Sequence, residues 1–262
     1  MRFSFALLFT IALLGVTALS ATEIFKPVAC EGAYKRHVQG ICTNQKDAIY
    51  WSWTEAIVKT DLEGHIVKKV PAPSHQGDLC YHDGKLYVAV NLGEFNRPAG
   101  KADSWVFVYD GETLAELSRH AVPELVHGAG GMAYHDGRFV IIGGLPPGTE
   151  ENYVYEYDAQ LRFLKRHTLA SGYTLMGIQT VEYAEGAWWF GCYGKPTVLL
   201  RADENFQFTG KWEFNASVGI VNIGPNQFLI AENKAAKEIG NTARLRLAHA
   251  EGDKGMVLDG AK

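Results

Sequence analysis

HVQGICTNQKDAIYW (His37 to Trp51) returns four more times along the chain in altered wording. The later copies read SHQGDLCYHDGKLYVA (Ser74 to Ala89), HGAGGMAYHDGRFVIIG (His127 to Gly143), MGIQTVEYAEGAWWFG (Met176 to Gly191) and ASVGIVNIGPNQFLIA (Ala216 to Ala231). Each has a small residue or glycine, a short alternating apolar run, a turn and a second strand. Repetition at roughly 40 to 50 residues, carried by strand and turn signals, is the signature of a β-propeller. Five copies predict five blades.

Each copy continues in a consistent way. Ala56 to Asp61, Trp105 to Asp110, Tyr153 to Asp158 and Val198 to Asp203 are alternating segments that end on an aspartate. A turn follows each, then a further segment: His65 to Val70, Leu114 to Val122, Phe163 to Leu169 and Phe206 to Phe214. That pattern gives four antiparallel strands per blade. No stretch of the repeats keeps a helical period with caps. In the fifth copy Lys234 to Asn241 reads as polar and irregular, and Ala243 to Ala250 reads as a strand. A ring must close because open sheet edges are sticky. Glu23 to Ala29 is therefore expected to complete the last blade. Two long loops, Asn91 to Ser104 and Gly144 to Asn152, are candidates for the rim of a binding mouth.

The chain has 262 residues, and the first 21 read as a secretory signal peptide. Met1-Arg2 is positive, Phe5 to Val16 is almost unbroken apolar sequence, and Ser20 and Ala21 are small enough for cleavage. The apolar run is too short for a membrane span. The expected product is a secreted or periplasmic single domain, residues 22–262, expected to be a monomer without membrane contact. A net charge of −4 excludes the basic face that nucleic acid requires. Export permits disulfides. Cys42, Cys80 and Cys192 nevertheless fall inside strands of three blades, where buried free thiols are expected, and Cys30 is the candidate for any bridge. Asn215-Ala-Ser217 fits a glycosylation acceptor.

The first strand of every blade lines the central channel, so residues at its start converge at one mouth. Here those are His37 and Gln39, His75, Gln76 and Asp78, His127, and Gln179, with Ser217 and Asn222 in the fifth copy. The other six histidines fall on turns or outer strands and read as solvated surface. Three chemistries fit the mouth. Imidazoles of His37, His75 and His127 are candidate ligands for a divalent metal such as zinc or iron, with Asp78 or Gln179 beside them. Alternatively His75 or His127 acts as acid/base and Asp78 orients it, while His37, Gln39 and Gln179 hold a polar ligand. The third reading is a wet channel of polar side chains bonded to each other and to water. Gly40, Gly77, Gly130 and Gly131 fit tight inner-strand packing, because no helix follows to cradle a phosphate. In the pairs Trp51/Trp53 and Trp188/Trp189, core packing is expected for one member, and the other is a candidate apolar wall.

Residues His37-Val-Gln39-Gly40-Ile41 and Ile178-Gln179-Thr-Val-Glu182-Tyr183, with Trp188 after them, resemble the five-bladed glutaminyl cyclotransferases. Val218-Gly219-Ile220 is a fainter echo. Those enzymes cyclise amino-terminal glutamine to pyroglutamate. The resemblance implies Gln39 and Gln179 as amide contacts and Asp78 as a displaced catalytic carboxylate. This sequence departs from the pattern where the family has its acid/base glutamate, for which only Asp78 is available. Gly128-Ala-Gly130-Gly131 also replaces an aromatic-Gly-Leu, and His37 or Val38 replaces a phenylalanine. The expected ligand is a small polar molecule, a sugar or a peptide terminus, bound at the channel mouth. The reactions open to it are hydrolysis, elimination or cyclisation by His/Asp proton transfer. The alternatives are cyclotransferase-like acyl transfer, or a non-catalytic propeller that docks proteins or glycans through its rim.

Overall fold

Asp83-Gly84, Asp136-Gly137 and Glu185-Gly186 each place two successive residues at positive φ. This is the type I′ arrangement, whose twist matches that of the flanking strands. It sends the inner strand of three repeats straight back into the second strand. A different turn joins the third strand to the fourth. Asp61, Asp110, Asp158 and Asp203 each accept two downstream backbone amides on one carboxyl oxygen. These are Asx turns, in which the short carboxylate side chain substitutes for a backbone acceptor.

In the computed structural model, which describes residues 24–260, these turns generate five sheets of four antiparallel strands. Blade one holds β1 (Val38–Thr43), β2 (Ile49–Trp53), β3 (Ala56–Thr60) and β4 (Ile66–Pro71). Blade two holds β5 (Gln76–His82), β6 (Lys85–Asn91), β7 (Ser104–Asp110) and β8 (Glu116–Ala121). Blade three holds β9 (Ala129–His135), β10 (Arg138–Gly143), β11 (Asn152–Asp158) and β12 (Phe163–Leu169). Blade four holds β13 (Leu175–Ala184), β14 (Ala187–Tyr193), β15 (Val198–Ala202) and β16 (Phe208–Glu213). Blade five holds β17 (Ile220–Gly224), β18 (Gln227–Ala236), β19 (Gly240–Glu251) and β20 (Gly255–Leu258). The first strand of each blade is innermost, and the five form a ring. The protein is a five-bladed β-propeller.

Both faces of the middle strands are buried while the fourth strands are mostly exposed, for example β8 and β12. The apolar core is accordingly divided into five wedges, one per blade interface. Trp51 and Trp53 lie in the wedge between blades five and one, Trp188 between three and four, and Trp189 between four and five. All four tryptophans are thus core, and none serves as a free apolar wall. Cys30, Cys42, Cys80 and Cys192 are free, buried thiols. Burial pushes the Cys30 thiol up to about 11, so it is a neutral hydrogen-bonding group beside Tyr34.

The closure of the ring differs from the expected single amino-terminal strand. β20 occupies the outer edge of one half of β19, pairing Ala248 with Leu258 and Glu251 with Gly255. The segment around residues 28–34 covers the other half: Leu245 N donates to Val28 O (2.7 Å) and Cys30 N to Ala243 O (3.0 Å). Tyr34 and Asn241 exchange a backbone pair at 2.8 and 2.7 Å. Two short segments from opposite ends of the fold therefore share one edge. The stretch 234–241, expected to be irregular, is instead the tip of the β18–β19 hairpin, in register from Lys234–Thr242 to Ala236–Gly240. The signal-peptide assignment falls on residues 1–21, outside the described residues.

Candidate functional site

Four inner strands carry β-bulges near their first residues, and in β9 the unpaired residue is Gly130. Pairing shifts between Val38 and Gly40 in β1, between Gln76 and Leu79 in β5, and between Ile178 and Thr180 in β13. A bulge frees a residue from the ladder and re-aims it. The residues freed here include Gln39, Asp78 and Gln179, three of the candidates named from the sequence.

At this end of the channel, the histidine face, His37 and His75 come together. His37 Nε2 lies 3.1 Å from the Tyr193 hydroxyl. Gln39 Nε2 donates to Thr54 Oγ1 (3.1 Å) and lies 3.2 Å from His75 Nε2. An amide NH2 can only donate, so this placement of the amide makes His75 Nε2 an acceptor and the ring neutral. Burial acts in the same direction: it lowers the pKa of both His37 and His75, and each is lowered further by neighbouring positive charge. Phe95, from the loop after β6, stacks over His75 with ring centres 6.4 Å apart and also packs against Gly128. His127, in the β8–β9 connection, packs against that loop rather than joining the pair. Its Nδ1 donates to Arg97 O (2.8 Å), its own carbonyl accepts from Asn96 N (2.9 Å), and its ring stacks on Tyr153. The Asn96 side chain in turn accepts from Leu145 N, so the two long loops meet over this mouth. Gln179 Nε2 donates to Met176 O (2.8 Å).

Asp78 does not sit at the mouth with them. It is 1% exposed, and its Oδ2 accepts from Val181 N of blade four (3.2 Å). The amides of Leu79 and, from blade one, Ile41 are directed at the same carboxyl, while Oδ1 completes no hydrogen bond. Gly40 of blade one and Gly131 of blade three leave room for it, since a Cβ on either would collide with the Asp78 side chain. One carboxyl from blade two thus touches three other blades on the axis. Burial raises its pKa well above the ordinary carboxylate range. No hydrogen bond or ion pair links Asp78 to His75 or His127 among the described residues, and no three His, Cys, Asp or Glu side chains there converge with metal-ligand geometry.

Below Asp78 the channel opens again. On this turn face a cavity of about 220 Å³ is lined by residues from all five inner strands. Cys42, Cys80, Ala133, Glu182 and Asn222 stand at equivalent positions of the five copies, and all reach it. The next residue outward is Thr43, Tyr81 or Tyr134 in the first three copies. The tyrosines are held by stacking across blades: Tyr81 on Tyr50 (5.6 Å), and Tyr134 on His82 (3.6 Å). His135 stacks on Tyr183 in the same way (3.4 Å). His82 and His135 are therefore packing groups, as is His167, which bonds Glu156 at 2.6 Å, and not the solvated surface expected of them.

Glu182 is the ionisable centre of this cavity. Its Oε1 accepts from Tyr183 N (3.1 Å), and the Asn222 amide also favours its charged form. Desolvation outweighs both and moves its pKa up to about 8. Glu182 is not among the site candidates that the sequence singles out. Its signal was a carboxylate at the position where the other copies have Cys, Cys, Ala and Asn.

No family model matches the sequence, and no curated protein matches it. Among solved structures, the WD40 repeats of RRP9 are similar at 10% identity with a TM-score of 0.52, over 88% of this chain and 81% of that one. A protein of unknown function from Bacteroides caccae is similar at 12% identity and a TM-score of 0.49, over 85% and 81% of the two chains. The likeness to the RRP9 domain supports the propeller fold and carries nothing about glutaminyl cyclisation or any other activity.

Proposed function

We propose that this protein is an exported propeller that takes a small polar ligand, a sugar or a peptide terminus, into the axial cavity of the turn face. Glu182 would meet the ligand there and stand ready to exchange a proton with it. The observation that carries this reading is a lone carboxyl in a cavity built from one equivalent position of every blade, where burial pushes it up to about 8. Displaced pKa values and enclosed polar cavities coincide at functional sites more often than elsewhere. A carboxyl poised near neutrality can donate or accept a proton at physiological pH, as general acid/base chemistry requires.

A second reading keeps the ligand at the histidine face, with His75 or His127 as acid/base. It is favoured by two imidazoles that burial holds toward neutrality, His75 beneath Phe95 and against the Gln39 amide, and His37 against the Tyr193 hydroxyl. The geometry leaves Asp78 outside that group. If this reading holds, Asp78 acts through the ring's framework.

Thermal-shift screening of sugars, amino-acid amides and short peptides tests the choice. Ligands of the wild-type protein should lose their effect on Glu182→Gln and keep it on His75→Ala. The reverse pattern would move the site to the histidine face. A screen in which both variants respond like wild type would remove both sites.

A further inference from the structure

Which polar ligand fits the turn-face cavity is a question of charge. Among its lining residues Glu182 is the one acid, and no lysine, arginine or histidine lines it. Asp78, one level deeper on the axis, carries a second carboxyl whose Oδ1 is buried without a partner. An anion in this cavity would face two acids and no compensating base, so carboxylates and phosphates are disfavoured.

The polar amides nearest the mouth are already engaged. Asn44 Oδ1 accepts from the amides of Lys46, Asp47 and Ala48. Asn222 Nδ2 donates to Gly224 O and Gln227 O, and Gln45 Nε2 donates to Asn222 O. The side-chain amide donors that a ring of sugar hydroxyls would need are thus spent inside the protein, Asn44 Nδ2 on Asp47 among them. What stays available is a carboxyl acceptor surrounded by thiols, aliphatic side chains and a rim of tyrosines fixed by stacking. A metal ion is a poor match, because no three His, Cys, Asp or Glu side chains converge among the described residues.

We infer that the turn-face cavity binds a small organic ammonium ion, its N–H groups on the Glu182 carboxylate and its alkyl part against the tyrosine rim. This inference rests on the cavity being the ligand site. Binding converts a neutral acid into a carboxylate: the ammonium keeps its protons, Glu182 loses one, and that proton passes to solvent. No other bond changes. The remaining titratable groups around Glu182 are Asp78, Cys80 and Tyr81 from β5, Cys42 from β1, Tyr134 from β9 and Tyr183 beside it. Burial holds Asp78 and both thiols toward their neutral forms, and Tyr183 is raised by its bond to Glu204. Glu182 is therefore the group that must ionise when the cation arrives.

Calorimetric titration with ethylammonium at pH 6 and pH 8, in two buffers of different ionisation enthalpy, tests this. The expected affinity gain is on the order of tens of fold between the two pH values, with about one proton released at pH 6. Glu182→Gln should abolish both the gain and the proton release. Because that variant could alter folding, its melting curve is compared at pH 6, and Tyr134→Leu serves as a second variant that weakens binding while keeping the pH dependence. Glucose and calcium chloride are titrated in parallel. Glucose or calcium binding in the cavity without ethylammonium binding, or ethylammonium binding with no pH dependence, would overturn the ammonium assignment while leaving the cavity as the site. Absence of binding by all three probes would overturn both.

Discussion

The two ends of the channel are built from the same five strands and have opposite acid–base character. At the histidine face, burial favours neutral imidazoles, whose charged form is the protonated one. At the turn face, burial favours a neutral carboxyl, whose charged form is the deprotonated one. One physical cause, desolvation in a narrow ring, therefore gives the two ends opposite responses to pH. The folded pKa of Glu182 is raised from 4.5 to about 8, so the folded state loses stability as pH climbs through that interval. The folded pKa values of His37 and His75 are lowered from 6.5, so the folded state loses stability as pH falls below that value. Asp78 stands between the two ends as a partition.

The largest expected effect that would break this comparison comes from Glu182→Gln. Removing the ionisable group should raise stability at pH 9 by up to roughly 5 kcal/mol relative to wild type and flatten the slope between pH 5 and 8. Urea midpoints across that range measure it, and an unchanged slope would show that the carboxyl is solvated. Next is Gly40→Ala, whose Cβ collides with the Asp78 side chain and backbone. It should cost about 3 kcal/mol, as overpacking against a constrained neighbour does. A cost near zero would mean that Asp78 is not pinned on the axis.

Phe95→Ala sharpens the other end. It uncovers His75, and we expect about 1 kcal/mol of lost stability, a His75 pKa moving back toward 6.5 and faster modification by diethyl pyrocarbonate. Equal reactivity in both proteins would show that the loop leaves the mouth open. The smallest effect is spectroscopic: imidazole resonances of His37 and His75 should titrate below pH 6.5 in the wild-type protein.

Much of the ring was legible in the sequence because its signals are local. Asp-Gly and Glu-Gly pairs fix the inner hairpins, the four Asx aspartates fix the outer ones, and alternation fixes the strands between them. The site was less legible because it depends on how copies meet. Gln39, Asp78 and Gln179 announce themselves as polar residues on inner strands, but bulges decide where they point. Asp78 was placed beside the histidines by its number in the repeat, yet its contacts are with Val181, Gly40 and Gly131, more than thirty residues away in each direction. Glu182 is visible in the sequence only as part of the Ile178 to Tyr183 motif and not as a site residue, because a lone carboxylate on a strand usually faces water. Only the assembled ring shows that the equivalent positions of all five copies enclose it.

The edge shared by residues 28–34 and β20 along β19 has a consequence for how the molecule is made. The earliest segment of the described fold can find its seat only after β19 has been synthesised, some two hundred residues later. Four complete fans would wait, with an unlatched seam between the first and the last, until that late strand arrives. Loss of residues 240–260 would leave the clasp with nothing to grip, and the unfinished seam would offer bare strand edges to its neighbours.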